Sequence, residues 1–544
     1  MRGGTRETHM RGMIVAAQPE AAEAGADILR RGGNAIDAAI ACAFSQGVVD
    51  PQMCGIGGFG AMQISMPKRG VHTVLEFLAL APLAATPEMW AERFVGQTRD
   101  GFVFLLSDHA NELGHLAAGT PGNVKGYTEA LSRFGTMDLR DVMAPAIRQA
   151  RDGFTIRPYV HYYWTIDQRS TGQINTEDKL RHSETGRRIY FHPDGTLKRP
   201  GDSVANPDLA RTLERIAAAG PEIFYTGAIA EEIAADMAAQ GGLLTKRDLA
   251  AYKVREKQPV WGAYRGLHIA GNPPAAGGVS LIELMHILQE FEIGALEHNG
   301  AEHIAILAEA MKWMTIDRDA HIGDPDFVDV PIDRLLSQAH AAGHAARIRS
   351  GEKARVARSE LSRDPPDTTV VCVMDEAGNA VTLTHTLGQP SGGITPGLGF
   401  MYNGSMSGFD PRPGRAGSIA PGKARSSAMA PTIMFKDEKP IIAIGAPGGT
   451  FIVPAIAQAL SNVIDFGMSM SEAVAAPRIV CLSDTIDVSN RIERRVSAAL
   501  EAKGYAISRS YQSFAFGAPH GIRAEGTSWS GGADPQRDGM ALKV

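Results

Sequence analysis

The pattern of the chain changes at Thr368, and this change constrains the fold more than any other feature. From about residue 126 to residue 350, apolar residues recur at helical spacing, for example in SLIELMHILQEF (280–291) and AEHIAILAEAMKWM (301–314). Residues 368–386, TTVVCVMDEAGNAVTLTHT, instead contain two β-rich runs that meet at residues 376–379, which predicts a hairpin. A helical middle followed by a β-rich end predicts a mixed α/β fold.

The N-terminal part predicts two helices followed by a strand. PEAAEAGADILRR (19–31) has Ala and Leu at helical spacing and ends at a pair of glycines. Asn34 can cap the next helix, residues 35–49, which is apolar nearly all round and is therefore expected to be buried. The turn CGIGGFG (54–60) then leads into the alternating run AMQISM.

The C-terminal part predicts another strand pair and a helix. PTIMF (431–435) and KPIIAIGAP (439–447) have the composition of strands, and FIVPAIAQALSNVIDFG (451–467) has that of a helix after a glycine-rich turn. The 60 glycines and 31 prolines are spread along the chain in short turns, so no flexible linker divides it into independent domains.

Composition excludes several classes of protein. A net charge of −6 with 21% charged residues offers no basic footprint for nucleic acid, so a small-molecule partner is expected. No run of about 18 apolar residues is found, which argues against a membrane protein. The four cysteines form no CxxC pair and are expected to be reduced core residues. No secretory signal is found. The expected location is the cytoplasm, or the periplasm if a native leader has been removed.

Thr368 is a candidate nucleophile. A threonine at a chain terminus can use its own α-amine, with a reference pKa of about 7.7–8.0, to accept the hydroxyl proton. This requires a cut after Asp367, in the polar, proline-containing segment SRDPPD (362–367). Local features alone are more typical of a loop that ends at a strand.

Several blocks in the same order and spacing resemble the γ-glutamyltranspeptidase family. They are MIVAAQPEAAEAGADILRRGGNAIDAAIACAFSQGVVDPQMCGIGGFG, AAGTPGNVKGYTEAL, RDGFTI, PPAAGGVSLIELMHIL, LAEAMKWMTIDRDAHIGDPDF, GGADPQRDG and the hairpin from Thr368. The resemblance implies an N-terminal-nucleophile hydrolase with a four-layer αββα sandwich. It also implies autocatalytic cleavage into a large subunit, residues 1–367, and a small subunit, residues 368–544. The two pieces would stay together as a heterodimer, which could dimerise further.

The resemblance also assigns roles to individual residues. Thr368 matches the nucleophile, and Thr386 matches the second threonine that hydrogen-bonds it. Gly448 and Gly449 match the pair whose backbone N–H groups form the oxyanion hole, although a helix-capping turn explains the same glycines. The alternation of a strand puts Thr384 on the face of Thr386 and His385 on the other. Water or an amine would resolve the acyl-enzyme, with no metal and no organic cofactor.

The chain departs from the family pattern at the residues that, in the family, bind the glutamyl group. The family's arginine falls at Leu78, its asparagine at Gly388 and its acidic residue near Gly408. The family's serine pair aligns with Ser427 and Ala428, or with Ser426 and Ser427 after a shift of one residue. We therefore expect a changed acyl group, a small acid amide other than a standard γ-glutamyl compound. The candidates for holding a substrate carboxylate are Arg425 and His385, with the serines beside them.

Two alternatives to this hypothesis stay open. One is a true γ-glutamyl hydrolase or transpeptidase, such as a glutathione hydrolase, that uses substituted residues. The other is a non-catalytic binding protein built on the same shell.

Two motifs indicate other chemistry but have simpler explanations. GIGGFG (55–60) satisfies GxGxxG, yet it follows a helix and precedes a strand, the reverse of a dinucleotide-binding site. His340 and His344 are four residues apart on an expected helix, a spacing that suits a metal ion. With no glutamate after the first histidine and no third ligand evident, a solvated helix face is the expectation.

Overall fold

The structure, a computed structural model, describes residues 11–356, 358, 368–510 and 512–544. Its strands are β1 (Gly12–Ala16), β2 (Phe59–Met66), β3 (Val71–Phe77), β4 (Phe94–Gln97), β5 (Phe104–Leu106), β6 (Phe154–Thr155), β7 (Ser203–Val204), β8 (Arg255–Lys257), β9 (Val260–Tyr264), β10 (Leu267–Gly271), β11 (Thr369–Asp375), β12 (Ala380–Thr386), β13 (Thr432–Lys436), β14 (Lys439–Gly445), β15 (Ile479–Val480), β16 (Thr485–Ser489), β17 (Ala506–Ser510), β18 (His520–Glu525), β19 (Ser528–Ala533) and β20 (Met540–Lys543).

Its helices are α1 (Pro19–Arg30), α2 (Ala35–Val49), α3 (Asn123–Phe134), α4 (Leu139–Asp152), α5 (Pro158–Thr165), α6 (Thr176–His182), α7 (Glu184–Tyr190), α8 (Pro207–Ala219), α9 (Glu222–Tyr225), α10 (Ala228–Ala239), α11 (Lys246–Ala251), α12 (Gly278–Gln289), α13 (Ala301–His321), α14 (Ile332–Leu335), α15 (Gln338–Arg349), α16 (Ile452–Ile464), α17 (Met470–Ala475) and α18 (Arg494–Ala502).

Two antiparallel sheets form the centre of the molecule. The first has the strand order β20-β1-β11-β12-β2-β3-β8, and the second has the order β19-β18-β14-β13-β10-β9. In both sheets, strands that precede Thr368 in the chain are hydrogen-bonded to strands that follow it. Neither side of Thr368 therefore holds a complete sheet, so the two sides share one core.

Helices cover the outer face of each sheet. The helix pair α1 and α2 packs on β1, β11 and β12, whereas α12 and α16 pack on β9, β10 and β14. Between these layers the two sheets face each other, with β11 and β12 against β14 and β18. This arrangement is the four-layer αββα sandwich that the resemblance implied.

The predicted hairpin and the predicted helix cap meet in the structure. Asn34 caps α2 by accepting hydrogen bonds from two backbone amides of the first turn, and the Asp37 carboxylate accepts one from the amide of Asn34. The next amide, of Ala35, donates to Asp375 at the end of β11 (2.9 Å). Asp375 also accepts from two amides of the hairpin turn. One carboxylate thus ties the hairpin to the helix beneath it.

Two further expectations from the sequence have different outcomes. All four cysteines are buried and unpaired, as expected. His344 is 7% exposed, so the expectation that it lies on a solvated helix face is wrong: that side of α15 packs against α12 and α13. Within the described residues, no helix is both long enough and apolar enough to cross a membrane.

Candidate active site

Thr368 lies immediately before β11 and is almost fully buried. Its hydroxyl oxygen is 3.2 Å from that of Thr386, the last residue of the paired strand β12. The Thr386 hydroxyl accepts a hydrogen bond from the amide of Gly388 (2.7 Å). This bond engages a lone pair of the Thr386 oxygen and so fixes the Thr386 hydroxyl beside that of Thr368, the candidate nucleophile. Asp367, the other side of the expected cleavage site, lies outside the described residues.

The backbone of Thr368 is held in an unusual conformation. Its φ angle is 120°, a region that β-branched residues seldom occupy. Its carbonyl accepts a hydrogen bond from Arg537 Nη2 (3.0 Å), and the same Nη2 is 3.5 Å from Asp50. Asp50 in turn accepts hydrogen bonds from Gln18 and Gln52, both at 2.5 Å. Arg537 lies in the block GGADPQRDG, but no local pattern of the sequence indicates its contact with Thr368.

His385 does not reach the site. It is fully buried on the helix side of β12, where Nδ1 lies 2.5 Å from the Tyr127 hydroxyl and Nε2 lies 2.7 Å from Gln46 Oε1. Burial lowers the pKa of His385 to about 3, so the ring is neutral at ordinary pH. A neutral, fully hydrogen-bonded ring in the opposite layer is not placed to hold a substrate carboxylate, contrary to the expectation for this residue.

The alternation expected along β12 is present. Thr384 faces the second sheet, where a Cβ added to Gly445 would lie 3.3 Å from its hydroxyl. The Thr384 hydroxyl is buried and has no hydrogen-bond partner among the described residues. The face of β12 that carries Thr384 and Thr386 is therefore the one that lies between the two sheets.

Gly448 and Gly449 form the turn that leads from β14 into α16. Their φ angles are 144° and 52°, values that glycine adopts without strain. A Cβ on Gly448 would lie 2.9 Å from the Gly517 Cα, so the turn has no room for a side chain there. Neither amide donates a hydrogen bond to another described residue. Two available N–H groups in one tight turn can stabilise an oxyanion.

A cleft of about 440 Å³ lies beside this turn. It is lined by Arg425, Ser426 and Ser427, three of the residues expected to bind substrate, and by Thr450, which follows the glycine pair. The Ser426 hydroxyl donates to Ile322 O (3.3 Å), and the Ser427 hydroxyl accepts from the amide of Met429 (3.2 Å). Arg358, the last described residue before Thr368, lines the same cleft.

Arg425 lies between this cleft and Gly388, the residue whose amide donates to the Thr386 hydroxyl. Its guanidinium stacks on Phe102 (4.7 Å to the ring centre), and the same ring covers Gly449. A Cβ added to Gly388 would lie 3.1 Å from Arg425 Nη1. A Cβ added to Gly408 would lie 2.5 Å from Nη2 and closer still to Nε. The guanidinium thus occupies the space that glycine at these two positions leaves open.

Leu78, where the resemblance expects an arginine, is a core residue. Its side chain is 4% exposed and packs in the hydrophobic core of the second sheet. The neighbouring segment is hydrogen-bonded to the one that carries Arg425, because the amide of Arg425 donates to Ala79 O (3.1 Å). The positive charge of the cleft therefore comes from Arg425, on the segment next to the one that carries Leu78.

Comparison with known proteins places the chain among enzymes that are named as proenzymes. The family model described as Gamma-glutamyltranspeptidase matches residues 21–544. The chain is 39% identical over 509 residues to "Acylase ACY 1 proenzyme" of Pseudomonas sp. (strain V22), covering 92% of this chain and 88% of that protein. It is 35% identical over 522 residues to "Glutathione hydrolase proenzyme" of Escherichia coli (strain K12), covering 91% and 86%.

Solved structures show the same similarity. The cephalosporin acylase from Bacillus halodurans superposes with a TM-score of 0.85 at 27% identity, covering 98% of this chain and 96% of that one. The gamma-glutamyltranspeptidase of Helicobacter pylori gives a TM-score of 0.55 at 32% identity, covering 67% of this chain and 96% of that one.

Proposed function

The chain belongs to the γ-glutamyltranspeptidase family, and from that premise we propose that it is a self-processing amidohydrolase whose nucleophile is Thr368. The observation that carries the proposal is the 3.2 Å contact between the Thr368 and Thr386 hydroxyls at the start of β11. Thr368 follows the expected cut, and its hydroxyl is held beside that of Thr386. A hydroxyl in this position is suited to attack first its own chain and then a substrate.

Maturation uses the Thr368 hydroxyl first. Its oxygen attacks the carbonyl carbon of residue 367, the C–N bond to Thr368 breaks, and the amine of Thr368 takes the proton. Water then hydrolyses the resulting ester and leaves two chains, 1–367 and 368–544. The φ angle of 120° supports this step, because backbone strain at a functional residue stores about 1–3 kcal/mol that cleavage releases. The shared sheets would keep the two chains together as a heterodimer.

Catalysis by the mature enzyme repeats the same attack on a substrate amide. The Thr368 amine accepts the hydroxyl proton, and the Thr368 oxygen bonds to the amide carbon. The amides of Gly448 and Gly449 stabilise the oxyanion, and the leaving amine takes the proton. Water, or an amine acceptor, then releases the acyl group from Thr368. No step needs a metal ion or an organic cofactor.

The acyl group is a small acid that carries a carboxylate but no α-amino group. Arg425 supports this specificity, because a guanidinium binds a carboxylate through two parallel N–H bonds. The same positive charge repels the ammonium group of a γ-glutamyl substrate. Gly388 and Gly408 offer no side chain to bind that ammonium. A dicarboxylic acid monoamide meets both conditions.

Thr368→Ala tests the nucleophile. We expect wild-type protein to yield a fragment that begins Thr-Thr-Val-Val, whereas Thr368→Ala stays one chain and has no amidase activity. Thr368→Ser keeps a hydroxyl and should still mature, more slowly. Thr369→Val is the matched control, because the Thr369 hydroxyl faces Gln18 and Gln46 and not the cleft. If Thr368→Ala matures and turns over amides like the wild type, catalysis at this residue is wrong.

Two anilides test the acyl group. Glutaryl-p-nitroanilide and γ-glutamyl-p-nitroanilide differ only by the α-amino group, so their ratio of kcat/KM measures its effect. We expect the glutaryl compound to be preferred. Saturable turnover of the γ-glutamyl compound with the glutaryl compound inert would instead support a true γ-glutamyl hydrolase. Binding without turnover of either, in a protein that does not mature, would support the non-catalytic alternative.

A further inference from the structure

Four metal-binding side chains converge in the helical layer outside the second sheet. Glu283 lies on α12, Asp317 on α13, and His340 and His344 lie one turn apart on α15. Three separate helices thus direct their side chains to one point, and the four candidate ligand atoms all lie within 4.8 Å of one another. Glu283 and His344 are buried, as is Asp317, whereas His340 is partly exposed.

Four of the six distances between these ligand atoms have the length of the edges of a tetrahedral site, and the other two are within 4.8 Å. Asp317 Oδ2 lies 3.0 Å from the Nε2 atom of each histidine, and the two Nε2 atoms are 3.1 Å apart. Glu283 Oε1 lies 3.6 Å from His340 Nε2. In a tetrahedron the edge is about 1.63 times the distance from centre to corner, so edges of this length place the centre about 1.8–2.2 Å from each ligand. Zn²⁺ binds imidazole nitrogen at about 2.0–2.1 Å and carboxylate oxygen at about 2.0–2.2 Å.

A proton shared between Glu283 and Asp317, with N–H donors from both rings to Asp317, still leaves one buried oxygen of this cluster without a described partner. If Asp317 accepts a hydrogen bond from both rings, both Nε2 atoms carry hydrogen and neither can accept from the other at 3.1 Å. If either Nε2 is deprotonated, its lone pair faces the carboxylate. Glu283 Oε1 is buried and has no hydrogen-bond partner among the described residues. A cation at the centre would convert each of these contacts into an attractive one.

We propose that Glu283, Asp317, His340 and His344 form a binding site for one divalent transition-metal ion, with the donor set and spacing that Zn²⁺ prefers. Two carboxylates cancel the charge of the ion, and two neutral imidazoles complete the tetrahedron, so the occupied site is neutral overall and suits burial.

The role of this ion is structural. All four positions are filled by the protein, which leaves no open position for a substrate or a catalytic water. The ion joins α12, α13 and α15 at the end of α13, where Arg318 and Asp319 line the substrate cleft directly after Asp317. Binding of the metal therefore fixes the wall of the cleft that these two residues form.

Metal content and thermal stability test the site in the full-length protein. We expect about one zinc ion per chain after expression with Zn²⁺. The protein stripped with a chelator should unfold at a lower temperature and recover on addition of Zn²⁺ alone. Co²⁺ added to the stripped protein should give the intense visible absorption of a tetrahedral site. In His340→Ala and Asp317→Asn the affinity should fall more than about 100-fold, because even loss of an outer partner costs about 10–100-fold.

His321→Ala is the matched control, since His321 ends the same helix α13 as Asp317 and is not a ligand. It should bind zinc like the wild type. The proposal is overturned if the stripped wild type takes up neither Zn²⁺ nor Co²⁺. It is equally overturned if His340→Ala and Asp317→Asn, folded by circular dichroism, keep wild-type metal content. Maturation is scored on the same samples and is expected in all of them, so this result is independent of the proposed amidase activity.

Discussion

Gly408→Ala should abolish carboxylate recognition while leaving the fold intact. The added Cβ would lie 2.5 Å from Arg425 Nη2 and closer to Nε, whereas ordinary contacts need about 3.5 Å. The guanidinium must therefore move by about 1 Å or more. Because Arg425 is only 4% exposed and lies over Phe59 and Phe102, this movement is expected to cost about 1–3 kcal/mol of stability. Alanine also restricts the unfolded chain, which offsets about 0.4–1 kcal/mol of this cost.

The effect on activity follows from the lost charge-assisted bonds. Hydrogen bonds to a charged group contribute about 1.5–3 kcal/mol, which corresponds to about 10- to 150-fold in kcat/KM. We expect a loss of this size for glutaryl-p-nitroanilide. For butanoyl-p-nitroanilide, which lacks the carboxylate, the change should be less than about threefold. Arg425→Met should show the same loss of discrimination.

The assay compares initial rates on the two anilides, normalised to the fraction of matured chain. Gly417→Ala is the matched control, because Gly417 lines the same cleft and an added Cβ would make only an ordinary contact, 3.9 Å from Asp410. Carboxylate binding by Arg425 is wrong if Gly408→Ala lowers the activity on both anilides equally, or on neither, in a protein that still unfolds cooperatively in urea.

Three further predictions concern the threonine pair, the glycine turn and acid stability. Thr386→Val removes the hydroxyl beside Thr368 and should slow maturation about tenfold, the effect of losing one hydrogen bond. Thr384→Val removes a hydroxyl that has no described partner and should leave the rate of maturation unchanged. The rate at which the two fragments appear on gels measures both effects. Gly448→Ala should lower kcat by about 100- to 1,000-fold, because the turn must shift away from Gly517; unchanged turnover would contradict the oxyanion role. His385 has a pKa of about 3 when folded and an ordinary value of 6.5, so its contribution to stability is present above pH 6.5 and is lost as the pH falls towards 3. Between pH 8 and pH 5 this loss is about 2 kcal/mol, and His385→Gln should remove that part of the pH dependence of urea unfolding.

The sequence predicted the elements near the site but not the contacts between them. The hairpin from Thr369 to Thr386, the cap at Asn34 and the turn at Gly448 follow from local patterns, and the structure contains each of them. The support of Thr368 by Arg537 joins residues far apart in the chain, and no local pattern reports such a contact. The two-chain division, the role of each site residue and the cytoplasmic location stay predictions.

His385 and His344 show why the remaining expectations failed. Alternation along β12 correctly predicted that His385 and Thr384 lie on opposite faces, but the sequence does not say which face of the strand lies between the two sheets. The helical spacing of His340 and His344 was visible, yet Asp317 and Glu283 come from two other helices. In both cases the missing fact was which elements pack together, and that is set by tertiary contacts.

The departures at positions 388 and 408 are coupled in the structure through Arg425. Along the sequence, they look like separate losses of polar groups. In the folded chain, glycine at 388 and 408 leaves space that the Arg425 guanidinium fills, and the segment of Leu78 is hydrogen-bonded to the segment that carries Arg425. Restoring an acidic side chain at position 408 alone would therefore collide with Arg425 and would not restore a γ-glutamyl site. The double variant Gly408→Asp with Arg425→Ser, which makes room for the new carboxylate, should bind γ-glutamyl-p-nitroanilide better than either single variant. Equal KM values in all three would mean that the positions act independently.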